Sequence, residues 1–154
     1  MKRLITAFIA LTAFANLATA ATCTVSTSGV AFGSYDPVAG GARDSSGIIA
    51  VSCTGTANEA LSFILTATAG NGSYSSRHAT SATINAAYNL YTDNSRASVW
   101  GDGTSNTSVI SDSVNLDTNG NLTRSYTVYG SIPASQTAVR AGTYSDQMVI
   151  TLTY

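Results

Sequence analysis

Beyond its first residues the chain shows no sustained helical period. Apolar residues recur instead at every second position over short stretches, the spacing that puts side chains on one face of a strand. Residues 142–154 are the cleanest case. Met148, Ile150, Leu152 and Tyr154 fall on one face, and Val149, Thr151 and Thr153 on the other. The same rhythm marks residues 23–27, 30–32, 48–53, 61–67, 86–91 and 123–132, with a brief stretch at 108–110. Ile49, Val51 and Cys53 share a face, as do Leu61, Phe63, Leu65 and Ala67, and then Tyr88 and Leu90. Turn residues part these stretches. Gly33-Ser34-Tyr35-Asp36-Pro37 is a turn signal, and residues 38–47 are small, polar and glycine-rich, so they read as a loop. Asn119-Gly120 reads as a hairpin turn. Residues 74–82 place Arg77 and His78 in a polar surround, and residues 134–141 read as a connector after Pro133. Short strands parted this way predict an all-β chain, a single antiparallel immunoglobulin-like β-sandwich of about seven strands. The last strand is apolar enough to require packing against a neighbour, because chain ends fray unless a sheet ties them down.

The N-terminus changes the count of residues available to that fold. Met1-Lys2-Arg3 is basic, residues 4–17 are apolar, and Ala18-Thr19-Ala20 is a small-x-small site. This pattern predicts a secretory signal peptide over residues 1–20, with cleavage before Ala21 and the sandwich domain over 21–154. Ala13-Phe14-Ala15 offers a second site, before Asn16. The apolar run falls short of the ~20 residues of a spanning helix, so no stable membrane insertion is expected. Export then sets the reading of the two cysteines, Cys23 and Cys53. An even pair in an exported chain reads as a disulfide, whose chain-entropy contribution is about 3–4 kcal/mol.

Charge excludes some partners. The leader holds the only lysine, and residues 21–154 keep five arginines against seven aspartates and one glutamate. With no basic patch, nucleic acid and anionic membranes are not expected partners.

Candidate chemistry is sparse. His78 is the single histidine, no G-x-S-x-G is present, and neither a catalytic residue nor a metal set is expected. Residues 117–121 carry the letters of a calcium loop but lack the distal Glu, and turn chemistry explains them. Asp93, Asp112 and Asp146 lie on separate segments and show no pairing in sequence. Tyr88, Tyr91, Trp100 and Tyr126 would form a sugar-binding surface if exposed, but aromatics at alternating strand positions read first as core. No cofactor is expected, and the chain reads as a non-enzyme.

Four stretches taken in order carry a family likeness. They are Phe32-Gly33-Ser34-Tyr35-Asp36-Pro37, Ile49-Ala50-Val51-Ser52-Cys53-Thr54, Tyr88-Asn89-Leu90-Tyr91-Thr92-Asp93 leading to Trp100-Gly101-Asp102-Gly103, and Ala141-Gly142-Thr143-Tyr144-Ser145-Asp146 before the last strand. The chain resembles the spore coat protein U domain family, which includes the subunits of archaic chaperone–usher pili. The resemblance implies an incomplete sandwich lacking its last strand, with an apolar groove beside the C-terminal strand. It implies a periplasmic pilus chaperone, an outer-membrane usher and an adjacent pilus subunit as partners, by addition of a donor strand. Val25, Met148, Ile150, Leu152 and Tyr154 would line the groove. Location would be the periplasm and then the cell surface. Only Ala21 and Thr22 would precede Cys23 after cleavage, which implies an adhesive or structural subunit at a terminal, tip-like place that accepts a strand and gives none. The alternative reading is a self-complemented secreted coat or carbohydrate-binding surface protein. A small hydrolase using His78 is the third.

Overall fold

The computed structural model describes residues 20–38 and 40–154. The leader predicted over residues 1–20 lies, but for Ala20, outside the described residues. Nine strands follow in order: β1 (Thr22–Thr27), β2 (Arg43–Thr54), β3 (Ala60–Ala67), β4 (Gly72–Ser73), β5 (Ser76–Ser81), β6 (Ile84–Tyr91), β7 (Ile110–Asn115), β8 (Asn121–Ile132) and β9 (Ile150–Thr153). There is no helix among the described residues. Every strand pairing is antiparallel. One sheet runs β1-β2-β8-β6-β5-β4 and the other β7-β3-β9, an immunoglobulin-like sandwich.

Alternation in sequence becomes alternation in burial. Ile49, Val51 and Cys53 of β2, Leu61, Phe63, Leu65 and Ala67 of β3, Tyr88 and Leu90 of β6, and Leu122 and Val128 of β8 form one buried cluster. Both sheets contribute to it, and Phe63 meets Tyr126 edge-on across the gap at 6.0 Å between ring centres. Trp100 is buried, and its indole N–H donates to the Leu65 carbonyl at 3.3 Å. Tyr88 and Trp100 are therefore core residues, not part of a sugar-binding surface.

Cys23 and Cys53 face each other across β1 and β2 and are disulfide-bonded, with Cα atoms 4.1 Å apart. The bond staples the first strand to the longest pairing of the molecule, β2 with β8.

Several boundaries differ from the sequence reading. Residues 43–46 extend β2 because Tyr129–Ile132 of β8 lies beside them, and backbone pairing overrides their polar composition. The Asn119-Gly120 turn is present, with Asp117 Oδ1 accepting from the amides of Asn119 and Asn121 at 2.8 Å each. It joins β7 of one sheet to β8 of the other, so it is a corner between sheets and not a hairpin. Arg77 is fully buried and not in a polar surround. Its Nε donates to the Ala69 carbonyl, Nη1 to Asn89 Oδ1, and Nη2 to the carbonyls of Thr68 and Trp100, at 2.7–3.1 Å. It also lies over the Tyr74 ring at 5.2 Å. Burial lowers the Arg77 pKa from its ordinary value, and the phenols of Tyr88 and Tyr74 and the Asp146 carboxylate oppose that shift.

The loop after β6 has its own acid-sensitive clasp. Asp93 accepts from the Ser95 hydroxyl and from the amides of Ser98 (2.7 Å) and Ala97 (3.2 Å). These bonds, the Ser95 one foremost, hold its carboxyl down to about 2. A depressed folded-state pKa gives a contribution present above the ordinary carboxylate range and lost as pH falls toward 2. An NMR titration of the Asp93 side chain is expected to show its midpoint near that value.

Candidate functional site

β9 pairs with β3 through Ile64–Thr153, Leu65–Leu152, Thr66–Thr151 and Ala67–Ile150. Among the described residues its other edge meets no strand, and neither does the outer edge of β1. The two lie near each other, one in each sheet. Between the sheets at this side opens a cleft of about 990 Å³. Its floor is the inner face of the large sheet, with Ile49, Tyr88, Leu90, Val128 and Ile132, joined by Trp100. Its two walls are irregular segments, residues 29–37 and 139–150, neither within a ladder except at Ile150.

The first wall is seated by side chains. The Phe32 carbonyl accepts from Arg43 Nε at 3.0 Å, and the Ala31 carbonyl from Ser45 Oγ at 2.6 Å. Val30 and Phe32 press onto two glycines. A Cβ on Gly130 would lie 2.7 Å from the Phe32 ring, and one on Gly47 would lie 2.1 Å from the Gly29 carbonyl. Only glycine lets the backbone approach this closely. Phe32 also meets Tyr88 edge-on at 5.9 Å.

The second wall is pinned at two points. Ser145 exchanges backbone bonds with Thr80 at 2.9 and 3.2 Å. Thr68 N donates to the Val149 carbonyl, and Val149 N to Thr68 Oγ1, at 3.0 Å each. The 142–154 stretch is thus a strand only over Ile150–Thr153 and an irregular wall before it. Its period-two face holds from 144 to 152, with 144, 146, 148, 150 and 152 half-buried and 145, 147, 149 and 151 exposed, and is lost at Tyr154, which is exposed.

The lining also holds polar side chains, Ser34, Asp36, Arg140, Thr143 and Asp146 among them, and Asp146 is hydrogen-bonded to the floor. The Tyr88 hydroxyl donates to Asp146 Oδ2 at 2.5 Å. Asp146 also accepts from the Asn71 amide at both oxygens (3.0 Å to Oδ1, 3.2 Å to Oδ2) and from the Gln147 amide (2.8 Å to Oδ1). Burial, and then the Asp146 bond, raise the Tyr88 phenol well above its ordinary range, so it remains an O–H donor. Tyr88 thereby links both walls beneath the cleft.

The two edges of the small sheet differ in kind. β7 points Asp112 inward, where Asp112 Oδ2 accepts from Tyr126 OH at 2.6 Å. Burial and this bond raise the Tyr126 phenol. An inward charge on an edge strand guards against pairing with another chain. β9, Ile-Thr-Leu-Thr, carries no charge and no proline. Asp112→Leu is expected to turn β7 into a pairing edge and give concentration-dependent oligomers in size-exclusion light scattering.

Of the residues singled out in sequence, Met148 and Ile150 line the cleft. Leu152 shares their half-buried face, and Val25 is half-buried on β1, packed on the core. Tyr154 is 53% exposed and borders a separate recess of about 370 Å³ with Phe63 and Asp112. Sequence reasoning did not find Val30, Phe32, Tyr88 and Asp146. The acid at the start of the 146–152 alternation was the one available signal. Among the described residues no three His, Cys, Asp or Glu side chains gather as a metal set.

These features define an immunoglobulin-like sandwich with a cleft between its sheets beside β9. The chain belongs to the Spore Coat Protein U domain family, whose model matches residues 9–151. This family is structural and adhesive, not enzymatic. A solved structure of similar fold is the CsuC–CsuE chaperone–tip adhesion subunit pre-assembly complex from the archaic chaperone–usher Csu pili of Acinetobacter baumannii. The TM-score is 0.56 at 18% identity, covering 87% of this chain and 40% of that one. The present chain therefore spans about two fifths of the length of that relative. No curated protein matches the sequence.

Proposed function

We propose that this chain is a non-catalytic subunit of a chaperone–usher type pilus, and that its groove accepts a β-strand from another polypeptide. The observation that carries this reading is the unpaired, uncharged edge of β9 beside a 990 Å³ cleft with a largely apolar floor. A strand laid there would gain main-chain hydrogen bonds from the edge and bury alternate side chains on the floor. A periplasmic chaperone is the first donor and the neighbouring subunit, delivered at an outer-membrane usher, the second. Export through the leader and display at the cell surface follow from this reading. With cleavage after Ala20, two residues precede Cys23, and the subunit then takes a terminal place, receiving a strand without passing one on. N-terminal sequencing of the exported protein tests that last step.

The groove itself is tested by co-expression and co-purification with a periplasmic chaperone of the archaic chaperone–usher type. Ile150→Lys places a charge in the cleft while leaving the β3 ladder intact. Capture is expected to fall at least about thirtyfold, the scale of a central interface residue. Unchanged capture with the charge in place overturns the proposal.

A further inference from the structure

Two Asn-Gly pairs stand in the chain, Asn71-Gly72 and Asn119-Gly120. Asparagine before glycine is open to deamidation, because no Cβ hinders closure of a five-membered imide. The glycine nitrogen must lose its proton and reach the asparagine Cγ. An amide that is bonded and buried does neither until its surroundings open. The two pairs differ on this count.

Asn119-Gly120 is locked. The Gly120 amide donates to the Asp117 carbonyl at 3.0 Å, and the Asn119 amide to Asp117 Oδ1 at 2.8 Å. Gly120 is buried, and a Cβ there would lie 2.2 Å from the Gly55 carbonyl. Asn71-Gly72 is open. Both residues are exposed, and Gly72 begins β4, the two-residue strand at the rim of the large sheet. One step beyond the Gly72–Arg77 pair, His78 N donates to the Asn71 carbonyl at 3.2 Å. Antiparallel ladders alternate, so Gly72 turns its own amide away from β5. Among the described residues no strand lies on that side.

Asn71 also holds the cleft wall. Its amide donates to both Asp146 oxygens, at 3.0 and 3.2 Å. A Cβ on Gly70 would lie 2.3 Å from Asp146 Oδ2, so the carboxylate is pressed onto this backbone.

We infer that Asn71-Gly72 is a site of spontaneous deamidation, and that its isoaspartate product frees residues 146–148 of the wall from the β3–β4 connection. The Gly72 nitrogen gives its proton to solvent base and bonds to Asn71 Cγ. The side-chain nitrogen takes up a proton and leaves as ammonia. Water then opens the imide. Attack at Cγ gives aspartate, and attack at the former backbone carbonyl gives isoaspartate. In isoaspartate the main chain runs through Cβ and is one methylene longer, and the former carbonyl is a free carboxylate. That charge stands on the same Cα as the amide that holds Asp146. Like charges meet there and the clasp is lost. Asp146 keeps the Tyr88 hydroxyl and the Gln147 amide, but both walls lose a common anchor at residue 71.

The test uses the protein as exported, disulfide-bonded and with any strand it has bound, and the same protein reduced in concentrated urea. Both are held in mildly alkaline buffer, and peptide mapping by mass spectrometry follows each asparagine. Unfolded, the two sites are expected to convert at similar rates. Folded, Asn71 is expected to convert at least about tenfold faster than Asn119, whose glycine amide reacts only after its bond to Asp117 opens. Hydrogen exchange on the converted protein is expected to show lost protection at residues 146–148, and Asn71→Gln to keep that protection through the same incubation. An Asn119 rate equal to or above that of Asn71 in the folded protein overturns the site. Conversion at Asn71 with protection at 146–148 unchanged, or the same loss in Asn71→Gln, overturns the release of the wall.

Discussion

Arg77→Ala is expected to destabilise the sandwich by about 3–5 kcal/mol, more than any other single side-chain truncation. Arg77 is wholly buried and donates to the carbonyls of Thr68, Ala69 and Trp100 and to Asn89 Oδ1. Those acceptors come from the segment just after β3, from β6 and from the segment after β6. Truncation leaves four acceptors short of a donor and opens a cavity between the sheets. Thr68 is also the residue that pins Val149 in the cleft wall, so the loss reaches the cleft. Urea unfolding of the strand-complemented chain reads the effect as a fall in midpoint at constant slope. Arg77→Lys keeps the charge but cannot reach four acceptors from one ammonium, and is expected to recover less than half the loss.

The second large effect is expected from the disulfide. Reducing Cys23–Cys53, or replacing both residues by Ala, should cost about 3–4 kcal/mol by the chain-entropy argument. The bond ties β1 to β2 where Cys23 faces Cys53. Among the described residues no strand lies on the other side of β1, so its hold on the sandwich rests on β2 and on the crosslink together. Without the crosslink β1 is expected to fray, and the groove to lose its shape at that end. Hydrogen exchange on the complemented chain should show lost protection over Thr22–Thr27 before any change in β8.

Much of the architecture was legible in sequence because burial follows period two. The inner faces of β2, β3, β6 and β8 are the alternating residues, and the cysteine pair reads correctly from compartment and count. What escaped depends on contacts distant in sequence. Arg77 looks like a surface residue among serines and threonines until backbone carbonyls from residues 68, 69 and 100 converge on it. Residues 30–32 are too short to score as a wall, and their role depends on Gly47 and Gly130, which lie far along the chain. Residues 43–46 are polar yet pair as strand because β8 supplies partners along their whole length. The last stretch read as one long strand, but only Ile150–Thr153 has a ladder. Its earlier residues keep the alternation while one edge stays open, and an open edge leaves no mark in the residues that border it. The guard on β7 likewise needs the partner: Asp112 is an ordinary acid until Tyr126 bonds to it from the facing sheet.

If the groove takes its strand from elsewhere, the fold is unfinished in the isolated chain. Urea unfolding and size exclusion of residues 21–154, oxidised and produced without chaperone or added peptide, test it directly. The expected result is aggregation, or a broad transition without a cooperative midpoint. A soluble monomer that unfolds in one sharp step, with the Ile150–Thr153 amides protected as strongly as those of β8, would contradict it and favour a sandwich that completes itself.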